Sequence, residues 1–223
     1  MKKNTKFCIG LCLISFLAFS SNLRFAWEFL KNPTQVGAMF ECSELVAHEL
    51  MSFARQNNGP RTFFEVGAGM GSVTKIICRK YLRKDDRLDV VEISPEYCVH
   101  LKKLFPRNKY PNVYIHCVDV LKFNSLIKYD YIICTLPFNA FPNGLVKGLQ
   151  DKLISLSHSG TYMSYVEYMA LSYLRRSFTQ SKIKAQQLAD HKKLVDDFKN
   201  RYLIKTEKVY KNLPPIYVHQ LVF

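Results

Sequence analysis

Three glycines and one acidic residue stand together in the stretch FFEVGAGMGSVT, residues 63–74. Gly67, Gly69 and Gly71 follow an apolar run and precede a helix-like segment, where glycine allows a tight turn and close approach of a ligand to the backbone. Glu65 would repel a pyrophosphate but could attract an ammonium group. The spacing also differs from the Gly-x-Gly-x-x-Gly of dinucleotide sites. The loop therefore favours a ligand with an amino-acid moiety, such as S-adenosylmethionine, although an ordinary glycine-rich turn remains the alternative.

Two further acidic residues follow later apolar runs. Glu92 lies about 20 residues beyond the glycine loop, where a carboxylate can accept hydrogen bonds from both hydroxyls of a ribose. Asp119 follows the next apolar run and can accept the amino group of an adenine. Either acid alone would be an ordinary loop residue, but the carboxyl ends of parallel strands meet at one edge of a sheet. The predicted cofactor site contains these two acids and the residues that follow them, Ile93 and Val120.

The elements that must position these residues alternate between strand-like and helix-like segments. Ser94 followed by Pro95 is a typical helix N-cap with proline at the first helical position. The predicted strands cover residues 61–66, 87–93, 112–117, 129–134, 160–168, 202–210 and 216–223, and the predicted helices cover residues 72–82, 94–105, 145–157 and 188–200. Such alternation predicts a mostly parallel sheet with helices on both faces, closed by an antiparallel hairpin at the C-terminus.

With these motifs the chain resembles the class I S-adenosylmethionine-dependent methyltransferases. Within them it is most similar to the bacterial phospholipid N-methyltransferases, which are akin to the ribosomal RNA adenine dimethyltransferases. EVGAGMG is similar to the cofactor loop of the whole class, and TLPFNAFP and NLPP are similar to turns of the lipid enzymes. The resemblance runs from about Trp27 to the C-terminus. It implies a Rossmann-like seven-stranded α/β fold and S-adenosylmethionine as cofactor, with Val36, Gly37 and Ala38 closing over its methionine end.

The stretch TLPFNAFP, residues 135–142, carries no charge in a chain of formal net charge +14. In adenine N6-methyltransferases the corresponding turn is Asn/Asp-x-Pro-Tyr/Phe, in which a polar side chain holds the amine and the ring stacks on a flipped base. Thr135 stands where that amide or carboxylate would be, so a bound base would lose a hydrogen bond worth of order 1 kcal/mol. A lipid headgroup amine needs no planar clamp, so the predicted substrate contacts are Thr135, Leu136, Pro137, Phe138 and Phe141. A turn that packs in the core is the alternative interpretation.

The resemblance also has departures at this end of the site. Thr135 replaces the usual glycine of the lipid enzymes, and the residues FEC at 40–42 replace a Pro-Ser-Ser run. The second departure weakens any transfer of substrate contacts to that segment.

Methyl transfer to an amine requires an unprotonated nitrogen, whereas a headgroup amine is largely protonated at neutral pH by analogy with lysine. Tyr165 and Glu167, at the end of the fifth predicted strand, are the candidate catalytic residues that take a proton or hold the neutral amine. Tyrosine rings in YMSYVEY, residues 162–168, could also hold a cation. A half-buried strand without a catalytic role is the alternative.

The excess of basic residues, 32 Lys and Arg against 18 Asp and Glu, indicates an anionic partner. About half of the excess lies in residues 171–211, although a basic helix there could be only a solvated face. The predicted partner is a phospholipid membrane surface, with RNA less favoured because the amide and an appended C-terminal helical domain are missing. A non-catalytic cofactor-binding protein is the second alternative, and no oligomeric state is predicted.

The N-terminal residues 1–21 carry three lysines and then an apolar run, which is the shape of a secretory signal. The run is shorter than the about 20 residues that span a bilayer. Because the methyl donor is cytoplasmic, we expect attachment to the inner face of the cytoplasmic membrane, with a cleaved signal or a misassigned start as alternatives. Residues 22–57 are predicted to cover the cofactor site with helices, and residues 58–223 to form the methyltransferase domain.

The seven cysteines are scattered, with no Cys-x-x-Cys pair. Metal-ligand spacing is absent, so no metal site is expected. Reduced thiols in a reducing compartment are the prediction.

Overall fold

The computed structural model describes residues 42–54, 59–169, 182–212 and 214–223. The strands are β1 (Thr62–Val66), β2 (Arg87–Glu92), β3 (Val113–Cys117), β4 (Tyr129–Cys134), β5 (Ser157–Tyr168), β6 (Leu203–Val209) and β7 (Ile216–Val222). The helices are α1 (Glu44–Leu50), α2 (Ser72–Ile76), which continues as a π-helical turn over Ile77–Tyr81, α3 (Pro95–Leu104), α4 (Asn143–Leu156) and α5 (Lys182–Tyr202). Short 3-10 helices cover Val120–Lys122 and Phe138–Ala140. Residues 1–41, including the predicted cofactor contacts Val36, Gly37 and Ala38, lie outside the described residues.

The seven strands form one sheet in the order β3-β2-β1-β4-β5-β7-β6. Strands β1 to β5 run parallel, and β7 is antiparallel to both of its neighbours. The predicted seven-stranded, mostly parallel sheet with a C-terminal antiparallel hairpin is therefore confirmed. The strand order reverses beside β1, which lies between β2 and β4, and such a reversal opens a crevice at the carboxyl ends of the strands.

Side chains that alternate along β1 divide the core between the two faces of the sheet. Phe64 is fully buried among aromatic rings, 4.8 Å from the ring of Tyr129 and 5.0 Å from that of Phe123. The apolar cluster around it extends to α4 and α5. Phe63 points to the opposite face, where its ring stacks on Tyr131 at 4.9 Å. Both faces are covered by helices, which explains why β1 reads as a continuous apolar run.

Helix α1 is held over the sheet by hydrogen bonds at both ends. Ser43 caps its N-terminus by accepting from the backbone of Val46. At its C-terminus, Ser164 Oγ donates to the carbonyl of Leu50 at 2.7 Å, and Gln220 Nε2 donates to that of Glu49 at 2.9 Å. These bonds satisfy carbonyls that have no partner inside the helix. Ser164 and Gln220 therefore position α1 over the sheet. Glu65 lies on the same face of the sheet, because it is in register with Ser164 through β4.

The prediction of reduced thiols is wrong for one pair of cysteines. Cys98 in α3 and Cys117 at the end of β3 form a disulfide, with their Cα atoms 5.7 Å apart. They meet because α3 packs back against β2 and β3. Among the described cysteines, Cys42, Cys78 and Cys134 are free thiols.

The described ranges contain neither a membrane-spanning helix nor a metal-binding cluster. No helix there has the length and apolar character that crossing a membrane requires. No group of three or more His, Cys, Asp or Glu side chains there could hold a metal ion.

Candidate cofactor and acceptor site

The glycine loop adopts the left-handed backbone that its sequence predicts. The φ angles of Gly67, Gly69 and Gly71 are +80°, +54° and +82°. A Cβ atom at Gly67 would lie 2.7 Å from Leu136 Cδ2, and one at Gly71 would lie 2.8 Å from Leu101 Cδ2. A Cβ atom at Gly69 would meet no atom within 4 Å. The outer two glycines therefore permit close packing, whereas Gly69 borders open space in which a ligand could approach the backbone.

Glu92 holds this loop from the end of β2. Its Oε2 accepts from the backbone N–H of Gly69 and its Oε1 from that of Ser94, both at 2.8 Å. A carboxylate oxygen has a second lone pair, so both oxygens can still accept from a ribose hydroxyl. The carboxyl group is nearly buried, and the two bonds determine its orientation. Glu92 is thus oriented by the protein, and its predicted binding of the ribose hydroxyls stays a prediction.

The structure brings Asp119 to the same edge of the sheet. The backbone N–H of Val118 donates to the carbonyl of Glu92 at 3.0 Å, so the ends of β2 and β3 are joined. Asp119 Oδ1 accepts from the N–H of Leu121 at 2.9 Å and caps the following 3-10 helix. Ile93 exposes 67% of its side chain beside the two acids and offers an apolar surface to a base, whereas Val120 packs in the core.

Glu65 is the least satisfied polar group of the site. It is fully buried, and neither carboxylate oxygen accepts a hydrogen bond within the described part of the chain. Burial raises the pKa of Glu65 to about 7. Thr74 lies nearby and partly opposes this rise, although it is not in hydrogen-bonding geometry. Burial raises the pKa values of the Cys42 and Cys78 thiols to about 12. The nearby charge of Glu65 adds to this effect. An ammonium group would supply the charge and donors that this carboxylate lacks.

These residues fit S-adenosylmethionine. Glu65 would hold the ammonium of the methionine moiety, Glu92 the ribose hydroxyls and Asp119 the adenine amine. Gly69 leaves the space that close approach requires. A dinucleotide would place a pyrophosphate beside Glu65, where charge repulsion opposes binding.

Thr135 positions the glycine loop through its hydroxyl and its backbone N–H. Its hydroxyl donates to the carbonyls of Gly67 and Val66, with O···O distances of 2.6 and 3.0 Å. Its backbone N–H also donates to the carbonyl of Val66, at 3.1 Å. The single hydroxyl proton is used in these contacts, which brace the end of β4 against the loop. These bonds give Thr135 a positioning role, and its predicted contact with substrate stays a prediction.

The aromatic residues of the charge-free corner are core residues, as the alternative interpretation described. Phe138 is fully buried, with its ring 4.8 Å from that of Tyr165 and 6.0 Å from that of Phe198. Pro137 and Phe141 are also buried, while Leu136 is half-buried. The 3-10 helix folds the corner back onto β5 and α5, so these rings do not form an open apolar rim.

The two candidate catalytic residues are engaged inside the protein. Tyr165 is fully buried, and burial, followed by the charge of Glu167, raises the pKa of its hydroxyl well above 10. A group that keeps its proton so firmly is no base at neutral pH, so Tyr165 is corrected to a packing residue. Glu167 Oε2 lies 3.0 Å from Nε2 of His219, whose Nδ1 lies 2.9 Å from Thr206 Oγ1. A direct role for Glu167 stays a prediction.

One polar residue of the corner was not singled out from the sequence. Asn139 is 5% exposed, and its Nδ2 donates to the carbonyl of Tyr168 at 2.9 Å. Its Oδ1 has no hydrogen-bond partner among the residues that the structure describes. The signal that could have found it is compositional, because it is the only carboxamide in TLPFNAFP.

Comparison with known proteins supports the fold. No protein-family model matches the sequence, and no curated protein matches it. An O-methyltransferase from Bacillus cereus in complex with S-adenosyl-L-homocysteine (SAH) superposes with a TM-score of 0.59 at 16% identity, over 88% of this chain and 91% of that chain. The N-methyltransferase NodS from Bradyrhizobium japonicum WM9 in complex with SAH has a TM-score of 0.54 at 11% identity, over 79% and 84%.

A third similar structure is the magnesium protoporphyrin IX methyltransferase ChlM from Synechocystis PCC 6803 with bound SAM. It has a TM-score of 0.54 at 15% identity and covers 80% of this chain and 76% of that chain. The chain therefore has the Rossmann-like fold of class I S-adenosylmethionine-dependent methyltransferases. Because these proteins are named for different acceptors, their likeness to this chain does not identify its acceptor.

Proposed function

We propose that the protein is an S-adenosylmethionine-dependent N-methyltransferase. Its acceptor is an aliphatic amine, namely a phospholipid headgroup amine of the phosphatidylethanolamine type, methylated at a membrane surface. The cofactor part of the proposal is supported by the fold, by the open space at Gly69 and by the buried carboxyl of Glu65, which has no hydrogen-bond partner in the described part of the chain. When bound, the cofactor supplies an electrophilic methyl group.

The observation that carries the choice of acceptor is that the corner does not present the stacking ring of a base clamp. The Thr135 hydroxyl donates its proton to the carbonyls of Gly67 and Val66, and its one oxygen cannot orient a planar amine as a carboxamide does. The Phe138 ring is covered by Tyr165 and Phe198, so it presents no face on which a flipped adenine could stack. An aliphatic amine needs neither a planar acceptor nor a stacking ring. The geometry therefore favours such an amine over an RNA base.

Charge supports an anionic surface as the source of that amine. Some basic residues near the C-terminus are paired locally, since Lys192 and Lys199 both contact Asp196. Lys193 and Lys208 are exposed and stand outside the ion pairs found in the described residues. Lysines in such positions can lie against lipid phosphates, each worth about 1 kcal/mol near an anionic membrane.

The chain contributes to the reaction mainly by positioning. Glu92 and Thr135 hold the glycine loop in place, and correct placement of two reactants can supply a large part of a rate enhancement. Neither Tyr165 nor the paired Glu167 offers an obvious base. The headgroup ammonium therefore loses its proton to water before transfer, and we expect the rate to rise with pH through the neutral range.

The test uses the full-length protein, labelled S-adenosylmethionine and four acceptors. These are phosphatidylethanolamine vesicles, phosphatidylcholine vesicles, free ethanolamine and ribosomal RNA. We expect label only in phosphatidylethanolamine. Label in free ethanolamine alone would place the acceptor in solution, and label in RNA alone would overturn the choice of an aliphatic amine. Binding of SAH without label in any acceptor would identify a non-catalytic binding protein.

A further inference from the structure

The Cys98–Cys117 disulfide lies at the edge of the sheet where two of the cofactor acids meet. Glu92 and Cys117 are the last register partners of β2 and β3, so their side chains project from the same face of the sheet. Cys98 Sγ lies 3.4 Å from the carbonyl oxygen of Glu92. Asp119 follows Cys117 by two residues, and the N–H of the intervening Val118 donates to that same carbonyl at 3.0 Å. The disulfide therefore borders both acids that the proposed site offers to adenosine.

The disulfide also joins two elements that orient Glu92. Cys98 lies at the start of α3, and its backbone N–H donates to the carbonyl of Ser94 at 2.9 Å. Ser94 is the N-cap of that helix, and its own N–H donates to Glu92 Oε1 at 2.8 Å. Cys117 anchors the other end of the link in β3, which pairs with β2 beside Glu92. When the S–S bond is open, only noncovalent contacts hold the start of α3 against β3.

The two cysteines differ in their access to solvent. Cys117 is exposed, whereas Cys98 is 2% exposed. A thiolate from solution can therefore attack Cys117 Sγ, with Cys98 as the leaving group. The Cys98 thiol formed in this way has a hydrogen-bond acceptor nearby, because the Glu92 carbonyl oxygen can accept from a weak S–H donor. The fold thus accommodates both states of the pair.

The other described cysteines do not take part in this exchange. Burial raises the pKa values of Cys42, Cys78 and Cys134 to about 12, so these thiols stay protonated at neutral pH. Thiol–disulfide exchange requires a thiolate as the attacking group. The described part of the chain supplies none, and the disulfide therefore exchanges with an external thiol.

We propose that the Cys98–Cys117 pair is a redox switch that sets the affinity of the protein for the adenosine half of its cofactor. This inference rests on the cofactor part of the proposed function. In the reducing step, one thiolate of an external dithiol attacks Cys117 Sγ, the S–S bond breaks, and Cys98 Sγ takes the electron pair and a proton. The second thiolate of the dithiol then displaces Cys117 Sγ, which also takes a proton. The dithiol has supplied two electrons and two protons and becomes an intramolecular disulfide.

The oxidised protein is the form that binds tightly. Its link holds Asp119 and the Glu92 carboxylate in place before the ligand arrives, whereas in the reduced protein binding must also order them. We expect reduction to lower the affinity for SAH about tenfold, which corresponds to the loss of about one hydrogen bond. Glu65 lies on β1, outside the linked elements, so its contact with the ammonium of the ligand should not change.

The experiment titrates the full-length protein calorimetrically with SAH and with adenosine, before and after reduction with dithiothreitol. Adenosine carries the ribose and the base but no ammonium, so both ligands should lose affinity by the same factor. The Cys98→Ser/Cys117→Ser variant should bind both ligands as the reduced protein does, with or without dithiothreitol. Reoxidation with glutathione disulfide should restore the affinity, together with the loss of two alkylatable thiols in the intact mass.

Leu156→Ala is the matched control for a general loss of stability. Leu156 is buried at the C-terminal end of α4, directly before β5, so it lies at the opposite edge of the sheet from Glu92. Its truncation should destabilise the fold about as much as opening the disulfide, yet leave the affinity for SAH unchanged. An equal loss of SAH affinity in Leu156→Ala and in the reduced protein would assign the effect to stability and overturn the proposal.

Three other results would contradict the switch. Equal SAH affinities in the oxidised and reduced proteins would overturn it and leave the proposed function intact. A loss of affinity for SAH without a loss for adenosine would place the effect outside the adenosine contacts and also overturn it. If neither form binds SAH, the proposed cofactor site itself is wrong, and this inference fails with it.

Discussion

Glu65 should make the stability of the ligand-free protein fall as the pH rises through neutrality. Its carboxyl is fully buried and has no hydrogen-bond partner within the described ranges, and burial raises its pKa from 4.5 to about 7. The folded protein therefore binds a proton between these two pH values that the unfolded chain has released. At 1.36 kcal/mol per pKa unit, the free energy of unfolding should decrease by about 3 kcal/mol across that range. Glu65→Gln, which cannot ionise, should remove this decrease.

Cofactor binding should have the opposite pH dependence. The ammonium of SAH interacts with the ionised form of Glu65, so its affinity should rise with pH until the carboxyl is fully ionised. Below pH 7 the rise approaches about tenfold per pH unit. In Glu65→Gln the affinity should be lower and nearly independent of pH. One side chain would thus reduce the stability of the free protein while it strengthens the complex.

Urea unfolding and calorimetric titration with SAH, each at pH 5, 6, 7 and 8, provide the test. Asp89→Asn is the control, because Asp89 is also fully buried but accepts from Arg87 Nε and pairs with His116 Nε2, both at 2.6 Å. Burial alone would raise the pKa of Asp89, but these two partners lower it below 3.8. Its variant should be less stable yet keep the decrease between pH 4.5 and 7. A wild-type protein whose stability is flat in that range would refute the reasoning about Glu65.

Three further predictions concern the loop, the disulfide and the corner. Gly69→Ala and Gly160→Ala both place alanine in a left-handed backbone with free space around it, so both proteins should lose similar stability. Only Gly69→Ala should also lower the affinity for SAH in calorimetry. Reduction of the Cys98–Cys117 disulfide, whose cysteines are 19 residues apart, should lower the free energy of unfolding by about 3 kcal/mol in urea titrations. Phe138→Ala should cost about 3–5 kcal/mol because the ring is fully buried.

Each of these three predictions has a result that contradicts it. Equal SAH affinities in the two glycine variants would show that Gly69 does not border the ligand. For the disulfide, the Cys98→Ser/Cys117→Ser variant should match the reduced protein and ignore dithiothreitol; an unchanged unfolding midpoint would contradict the covalent link. If Phe138→Ala has wild-type stability but reduced methylation, the ring of Phe138 contacts the substrate and is not a core residue.

The cofactor side of the site was the most predictable from the sequence. Gly67, Gly69 and Gly71 have φ values that L side chains rarely adopt, and this requirement is local. Glu92 ends β2 and Asp119 follows β3, and the parallel arrangement of these strands was implied by the alternation of elements. The acceptor side was less predictable, because an apolar stretch such as TLPFNAFP suits an open rim and a buried turn equally well. Its orientation depends on contacts of Phe138 with rings from β5 and α5.

The sequence by itself determined the order of strands and helices, the glycine turn and the position of the acids along the chain. These follow from periodicity and backbone preference, which act over a few residues. The tertiary structure decided which groups are paired. It joined Cys98 to Cys117, directed the Thr135 hydroxyl to the glycine loop and, among the described residues, left the Glu65 carboxylate without a hydrogen-bond partner. Hydrogen bonding and burial depend on elements that are distant in sequence, so only the packed sheet could reveal them.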